Sequence, residues 1–222
     1  MRFRDRQDAG RRLAALLAPL RAQEPIVIGL PRGGVILAAE IAHLLRAPLD
    51  VWVVRKLGAP QDPELAIGAL AEGGGVYIDY ATAALLGSGE SALHRIVERE
   101  ARELARRVER YRHGLPPRAL TGRTVVVVDD GIATGATALA ALRAIREQGP
   151  RRLIVAAGVI ARDTIPLLES IADRVVALLT PEMLLSVGSW YEHFEPVEDD
   201  EVVSLLPGKG STSARSAITL RD

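Results

Sequence analysis

The sequence predicts an α/β fold: one doubly wound domain, its central, mostly parallel sheet flanked by helices, with a small C-terminal subregion. Three observations carry this expectation. Apolar runs at 25–30 (PIVIGL), 49–54 (LDVWVV), 151–160 (RRLIVAAGVI) and 173–179 (DRVVALL) read as strands separated by segments of helical character. A fifth run, the valines of 125–128, shows no alternation and fits a strand buried on both faces in mid-sheet. The chain has 222 residues, 48% of them hydrophobic, enough for one larger α/β domain. The expected division is a core at 1–180 with a β-hairpin at about 64–79, a subregion at 181–206 and a tail at 207–222.

Composition narrows the function classes. Formal net charge is +0, so no basic imbalance points to nucleic acid. There are no cysteines, which removes disulfides, thiolate nucleophiles and Cys-ligated zinc. Of the 28 Lys and Arg, only Lys56 and Lys209 are lysines, which draws attention to Lys56. No apolar run reaches membrane-spanning length, and the start MRFRDRQDAGRR lacks a signal-peptide core. The expectation is a soluble, cytoplasmic chain without a membrane partner.

Taken in order, residues 8–22 place Leu13, Leu16, Leu17 and Leu20 on one face of a packing helix. The strand at 25–30 ends in Pro31-Arg32-Gly33-Gly34, and VILAAEIAHLL continues as helix. That order is an anion-binding arrangement, or else an ordinary strand-to-helix turn. After LDVWVV, residues 55–63 (RKLGAPQDP) read as a loop at the end of a sheet strand, where ligands bind in open α/β sheets. ELAIGAL and VYID, joined by Glu72-Gly73-Gly74-Gly75, read as a hairpin. A short helix at 81–87 precedes a long one, capped by Ser91 and running to about Arg112, whose charges alternate in sign on a solvated face. Residues 138–148 and 163–172 read as further helices.

The most informative stretch is Thr124–Thr137, TVVVVDDGIATGAT. A buried strand runs into two carboxylates, Asp129 and Asp130, and then into Gly131, Ile132, Ala133, Thr134, Gly135, Ala136 and Thr137 before a helix begins. Small residues let a ligand approach the backbone, and free N–H groups at a helix start bind phosphate. Carboxylates repel phosphate but suit hydroxyls or a divalent metal beside it. The stretch therefore describes a cradle for a sugar phosphate. Receiver domains also carry paired acids after an apolar strand, but there the acids follow the first strand and no TGxT loop comes after them.

This segment closely resembles the phosphoribosyl-pyrophosphate (PRPP) signature of type I phosphoribosyltransferases, a Rossmann-like family, and the resemblance covers roughly residues 25–200. It implies transfer of ribose 5-phosphate from PRPP, with Mg2+, to a nitrogenous base or amine, releasing pyrophosphate. Asp129 and Asp130 would orient the ribose hydroxyls, with at most an indirect role at the metal, and 131–137 would hold the 5-phosphate. Arg32, Gly33 and Gly34 would contact pyrophosphate, in a turn that implies a cis peptide bond between Pro31 and Arg32. Arg55 and Lys56, on a loop that is mobile in the family, would meet the same group. A variable hood closes over the acceptor in these enzymes. Here it implies Trp190 or Tyr191 as a stacking residue and Phe194 as packing, though all three could instead anchor the hood. Arg162 would touch phosphate or base, or pair with Asp163. Type I relatives are often homodimers. A second reading is a PRPP or nucleotide sensor without transferase activity. A phosphohydrolase would need a water-activating group that is not evident.

Overall fold

The computed structural model describes residues 2–61, 65–86 and 89–206; the expected tail lies outside them. Helix α1 (Arg6–Leu17) starts at Asp5, whose side chain accepts from the Asp8 amide. Leu13, Leu17 and Leu20 are buried but Leu16 is 48% exposed, so the packing stripe is narrower than the expected face. Strand β1 (Ile26–Gly29), helix α2 (Gly33–Leu45) and strand β2 (Leu49–Val51) follow. Then come strands β3 (Val54–Gly58), β4 (Ala66–Ala71) and β5 (Val76–Ile78), and helices α3 (Tyr80–Leu85) and α4 (Glu90–Arg112). The chain continues through β6 (Thr124–Ile132), α5 (Ala136–Glu147), β7 (Arg152–Ile160), α6 (Ile165–Glu169), β8 (Arg174–Leu179) and α7 (Asp199–Leu205). No helix among the described residues is long and apolar enough to cross a membrane.

The main sheet has the order β2-β1-β6-β7-β8, and every pairing in it is parallel. Successive side chains of a strand leave on opposite faces. Val125 and Val127 join the cluster built on α5, whereas Val126 and Val128 join the one built on α1 and α2. Both faces are therefore covered, which is why the valine run shows no alternation. The order reverses between β1 and β6, and ligands of such sheets bind beyond the strand C-termini at that reversal.

The structure corrects the reading of 49–58. The apolar run divides: β2 ends at Val51, and β3 begins at Val54 in a separate antiparallel sheet of order β3-β4-β5. At the crossing, the Trp52 amide donates to the Gly29 carbonyl while the Val53 amide donates to Glu72 Oε2 at 2.8 Å. Arg55 and Lys56 thus sit within a strand and not in a loop. β4 and β5 pair antiparallel across the glycine turn, as the pattern of that segment predicts. Two helices also differ from expectation. Gly89, not Ser91, stands at the start of α4, and the segment at 163–172 holds only a 3₁₀ turn and the short α6.

A buried ionic cluster ties this second sheet to the main one. Arg112, at the end of α4, donates Nε to Glu72 at 2.8 Å, Nη1 to Asp50 at 3.0 Å and Nη2 to the Val51 carbonyl at 2.7 Å. Burial pushes the Glu72 carboxyl above the usual glutamate range, against the pull of Arg112. Arg112→Met would leave Asp50 and Glu72 enclosed without their cation. We expect it to lower unfolding free energy at neutral pH by about 3–5 kcal/mol, read from urea denaturation. A loss under about 1 kcal/mol, the level of an exposed pair, would show that the cluster does not hold the sheets together.

Candidate active site

The site forms where β1 ends and β6 runs on beyond it. Their register runs to Gly29 opposite Val128, and the Leu30 amide donates to the Val128 carbonyl at 2.9 Å. The Pro31–Arg32 bond is cis, as the resemblance implies. α2 begins at Gly33, so the Gly33 and Gly34 amides belong to its first turn, which lacks intrahelical acceptors. Arg32 precedes them, its guanidinium 3.8 Å from Glu198 in a largely exposed pair. Such a pair contributes little and can yield to an anion.

Asp129 and Asp130 lie within β6, past the point where β1 stops. The Asp130 amide donates to Asp129 Oδ1 at 2.8 Å. Asp129 keeps part of its surface open to the adjoining cavity, but its carboxyl is largely enclosed by protein. That enclosure, and then the neighbouring Asp130 carboxylate, push the Asp129 carboxyl well above the ordinary aspartate range. Asp130 is gripped from behind: Arg6 Nε donates to Oδ2 at 2.8 Å, and the Tyr191 hydroxyl donates to the Asp130 carbonyl at 2.6 Å.

Beyond the acids the backbone turns around a cavity of about 190 Å³ lined by Asp129, residues 131–138 and Val187. Gly135 takes φ 79°, and α5 starts at Ala136. The first intrahelical donor onto this end is Leu139, bonding the Gly135 carbonyl at 2.8 Å. The amides of Ala136, Thr137 and Ala138 therefore have no acceptor in the helix, and these three residues line the cavity. Thr164 fixes the turn: its hydroxyl donates to the Ala133 carbonyl, and its methyl fills the space beside Gly135. The arrangement can hold an anion on amides with hydroxyl-binding acids beside it.

A model of the phosphoribosyl transferase domain matches residues 4–177. The chain belongs to the phosphoribosyltransferase family. Two Mycobacterium tuberculosis proteins, named "Putative phosphoribosyl transferase MT0597" and "Putative phosphoribosyl transferase Rv0571c", are each 45% identical over 92% of this chain. The chain spans 46% of the length of those relatives. The crystal structure of TT1426 from Thermus thermophilus is 46% identical, covers 93% of this chain and 98% of its own, and superposes with a TM-score of 0.77.

In this member of the family the structure gathers 31–34 and 129–137 at one place and divides the other candidates. Arg55 and Lys56 alternate along β3. Arg55 faces α4, where Nη2 lies 2.6 Å from Glu100, so its cation is already committed and not turned to the site. Lys56, opposite Ala69, is on the other face, which Val54 and Ala69 pack toward α5. Tyr191 is 4% exposed and its ring lies between Phe3 and Phe194, at centroid distances of 5.1 and 5.0 Å. It is an anchor, which corrects its expected stacking role; Phe194 packs as expected. Trp190 is half-buried against the same cluster. Arg162 is exposed and pairs with Glu182 at 2.7 Å, not with Asp163.

Sequence reasoning missed Arg6, Thr164, Val187 and Phe3. Arg6 belongs to an N-terminal run of charges that looks solvated, and nothing local marks Thr164 as a buttress. Asp129 yields a prediction of definite sign. A carboxyl whose folded pKa is raised contributes stability below its unfolded pKa and loses it as pH rises through the folded value. Asp129→Asn is therefore expected to raise the urea midpoint relative to wild type at pH 7, with the gain fading as pH falls toward about 4, the ordinary aspartate value. A variant less stable than wild type by the same margin at both pH values would contradict the enclosed-acid assignment.

Proposed function

We propose that this phosphoribosyltransferase takes PRPP with Mg2+ and transfers the 5-phosphoribosyl group to a nitrogenous base or amine, releasing pyrophosphate. The observation that carries the reading is the cavity joining Asp129 to the unpaired amides at the start of α5, with the Gly33–Gly34 turn adjacent. The 5-phosphate would rest on the amides of 131–137, with the Thr134 and Thr137 hydroxyls as further donors. Ribose hydroxyls would lie on Asp129 and Asp130. Pyrophosphate would meet Arg32, the Gly33 and Gly34 amides, and Lys56.

In the reaction the bond from ribose C1 to the pyrophosphate oxygen breaks and a bond from C1 to the acceptor nitrogen forms. The electron pair leaves on pyrophosphate while positive character develops on the ribose. Two carboxylates below the sugar stabilise that charge, and fixed amides hold both phosphate ends in place. The acceptor nitrogen gives up its proton to solvent or to one of the acids.

Among the described residues no group of three acidic, histidine or cysteine side chains could hold a metal ion. Asp129 and Asp130 fit Mg2+ only through water or ribose hydroxyls, as suits a cation that keeps several waters and takes phosphate oxygens. When bound, it would neutralise charge on the departing pyrophosphate.

One observation favours a second reading, PRPP binding without transfer: Arg55 is engaged by Glu100 and not turned to the site. Incubation with PRPP, Mg2+ and a panel of bases and amines, following pyrophosphate release, separates the two. The transferase reading expects release with at least one acceptor and a drop of about 10²–10³ in rate for Asp130→Asn. PRPP bound tightly but unchanged with every acceptor would support the sensor.

A further inference from the structure

Arg6 opens α1, remote in sequence from every other part of the site, yet its guanidinium touches three of them. Nε donates to Asp130 Oδ2 at 2.8 Å. Nη1 donates to the Glu195 carbonyl at 2.8 Å, and Cζ lies 3.8 Å from the centroid of the Phe194 ring. A Cβ built on Gly33 would stand 2.8 Å from Arg6 Nε, so the guanidinium also lies against the turn at 31–34. The side chain is 12% exposed and that of Asp130 15%. A buried planar cation with this many fixed contacts holds a carboxylate in one orientation, which a flexible surface arginine does not.

The two acids are therefore held differently. Asp129 lines the cavity and accepts the Asp130 amide, whereas Asp130 is braced at Oδ2 from the side of α1 and the hood. We propose that Arg6 is a positioning residue: it sets the Asp130 carboxylate through Oδ2, so that Oδ1 serves a ribose hydroxyl, and it couples that setting to the hood through Phe194 and Glu195. The inference rests on the reading that these acids hold the ribose of PRPP.

The test is calorimetric titration of the full chain with three probes: PRPP with Mg2+, ribose 5-phosphate, and inorganic phosphate. Wild type is compared with Arg6→Ala, Arg6→Lys, Asp130→Asn and the Arg6→Ala/Asp130→Asn double variant. Arg6→Ala should weaken both sugar phosphates by about 10- to 100-fold, the loss of one charge-assisted hydrogen bond. Inorganic phosphate should bind it as it binds wild type, because the α5 amides do not touch Arg6. Arg6→Lys keeps the charge without the planar fork and should fall between. In the Asp130→Asn background, removing Arg6 should cost nothing further, since one residue acts through the other.

Equal losses for inorganic phosphate and sugar phosphates would reveal a collapsed site and overturn the proposal. So would losses at Arg6 and Asp130 that simply add. Wild type binding ribose 5-phosphate with Arg6→Ala matching it would remove the positioning role alone. Wild type binding neither sugar phosphate would remove it together with the transferase reading.

Discussion

Where the strand order reverses, the turn that follows β1 packs backbone against backbone on β6. A Cβ on Gly34 would stand 2.5 Å from the Val128 carbonyl oxygen and 2.9 Å from Asp129 Cα. On Gly33 it would overlap the Asp130 carboxylate. No side chain fits at either position, and that constraint brings the turn at 31–34 against the acids. The β1–β6 register makes the approach possible, because β1 ends at Gly29 opposite Val128 while β6 continues to Ile132. A parallel sheet covered on both faces keeps that register, since a slip of one residue would exchange the two apolar clusters.

The rest of the molecule braces this junction. From below, Thr164 holds the turn that leads into α5. From the side, the segment after β8 pairs with the N-terminus: Phe3 bridges Tyr191, and the Glu192 amide donates to the Phe3 carbonyl at 2.8 Å. Tyr191 then reaches the Asp130 carbonyl, and Val187 fills the space over Gly131. The segment after β8 and the first helix thus meet at Asp130, Tyr191 on its carbonyl and Arg6 on its carboxylate.

Much of this was legible in the sequence, for definite reasons. Val125–Val128 announced a strand buried on both faces, and DDGIATGAT announced a small-residue turn into a helix, because local pattern alone fixes both. The hairpin of β4 and β5 was legible, but the place of β3 beside it was not. Trp52 and Val53 continue the apolar run of β2, so hydrophobicity carries no mark of the point where the chain changes sheets; the mark is Glu72, which captures the Val53 amide from across the hairpin. Arg55 and Lys56 looked like a pair in sequence, but strand alternation sends them to opposite faces. Tyr191 and Arg6 take their roles from partners at the other end of the chain, which no local window contains.

The proposed function needs ligand at the β1–β6 junction. A larger and more apolar groove exists between α3 and α4, about 510 Å³, lined by Tyr80, Leu93, His94 and Val97 among others. Backbone amide chemical-shift mapping during titration with PRPP and Mg2+ compares the two places directly. The account predicts that the largest shifts fall on Gly33, Gly34 and Gly131–Ala138. Shifts concentrated on Tyr80 and Leu93–Val97, with the junction unmoved, would contradict it.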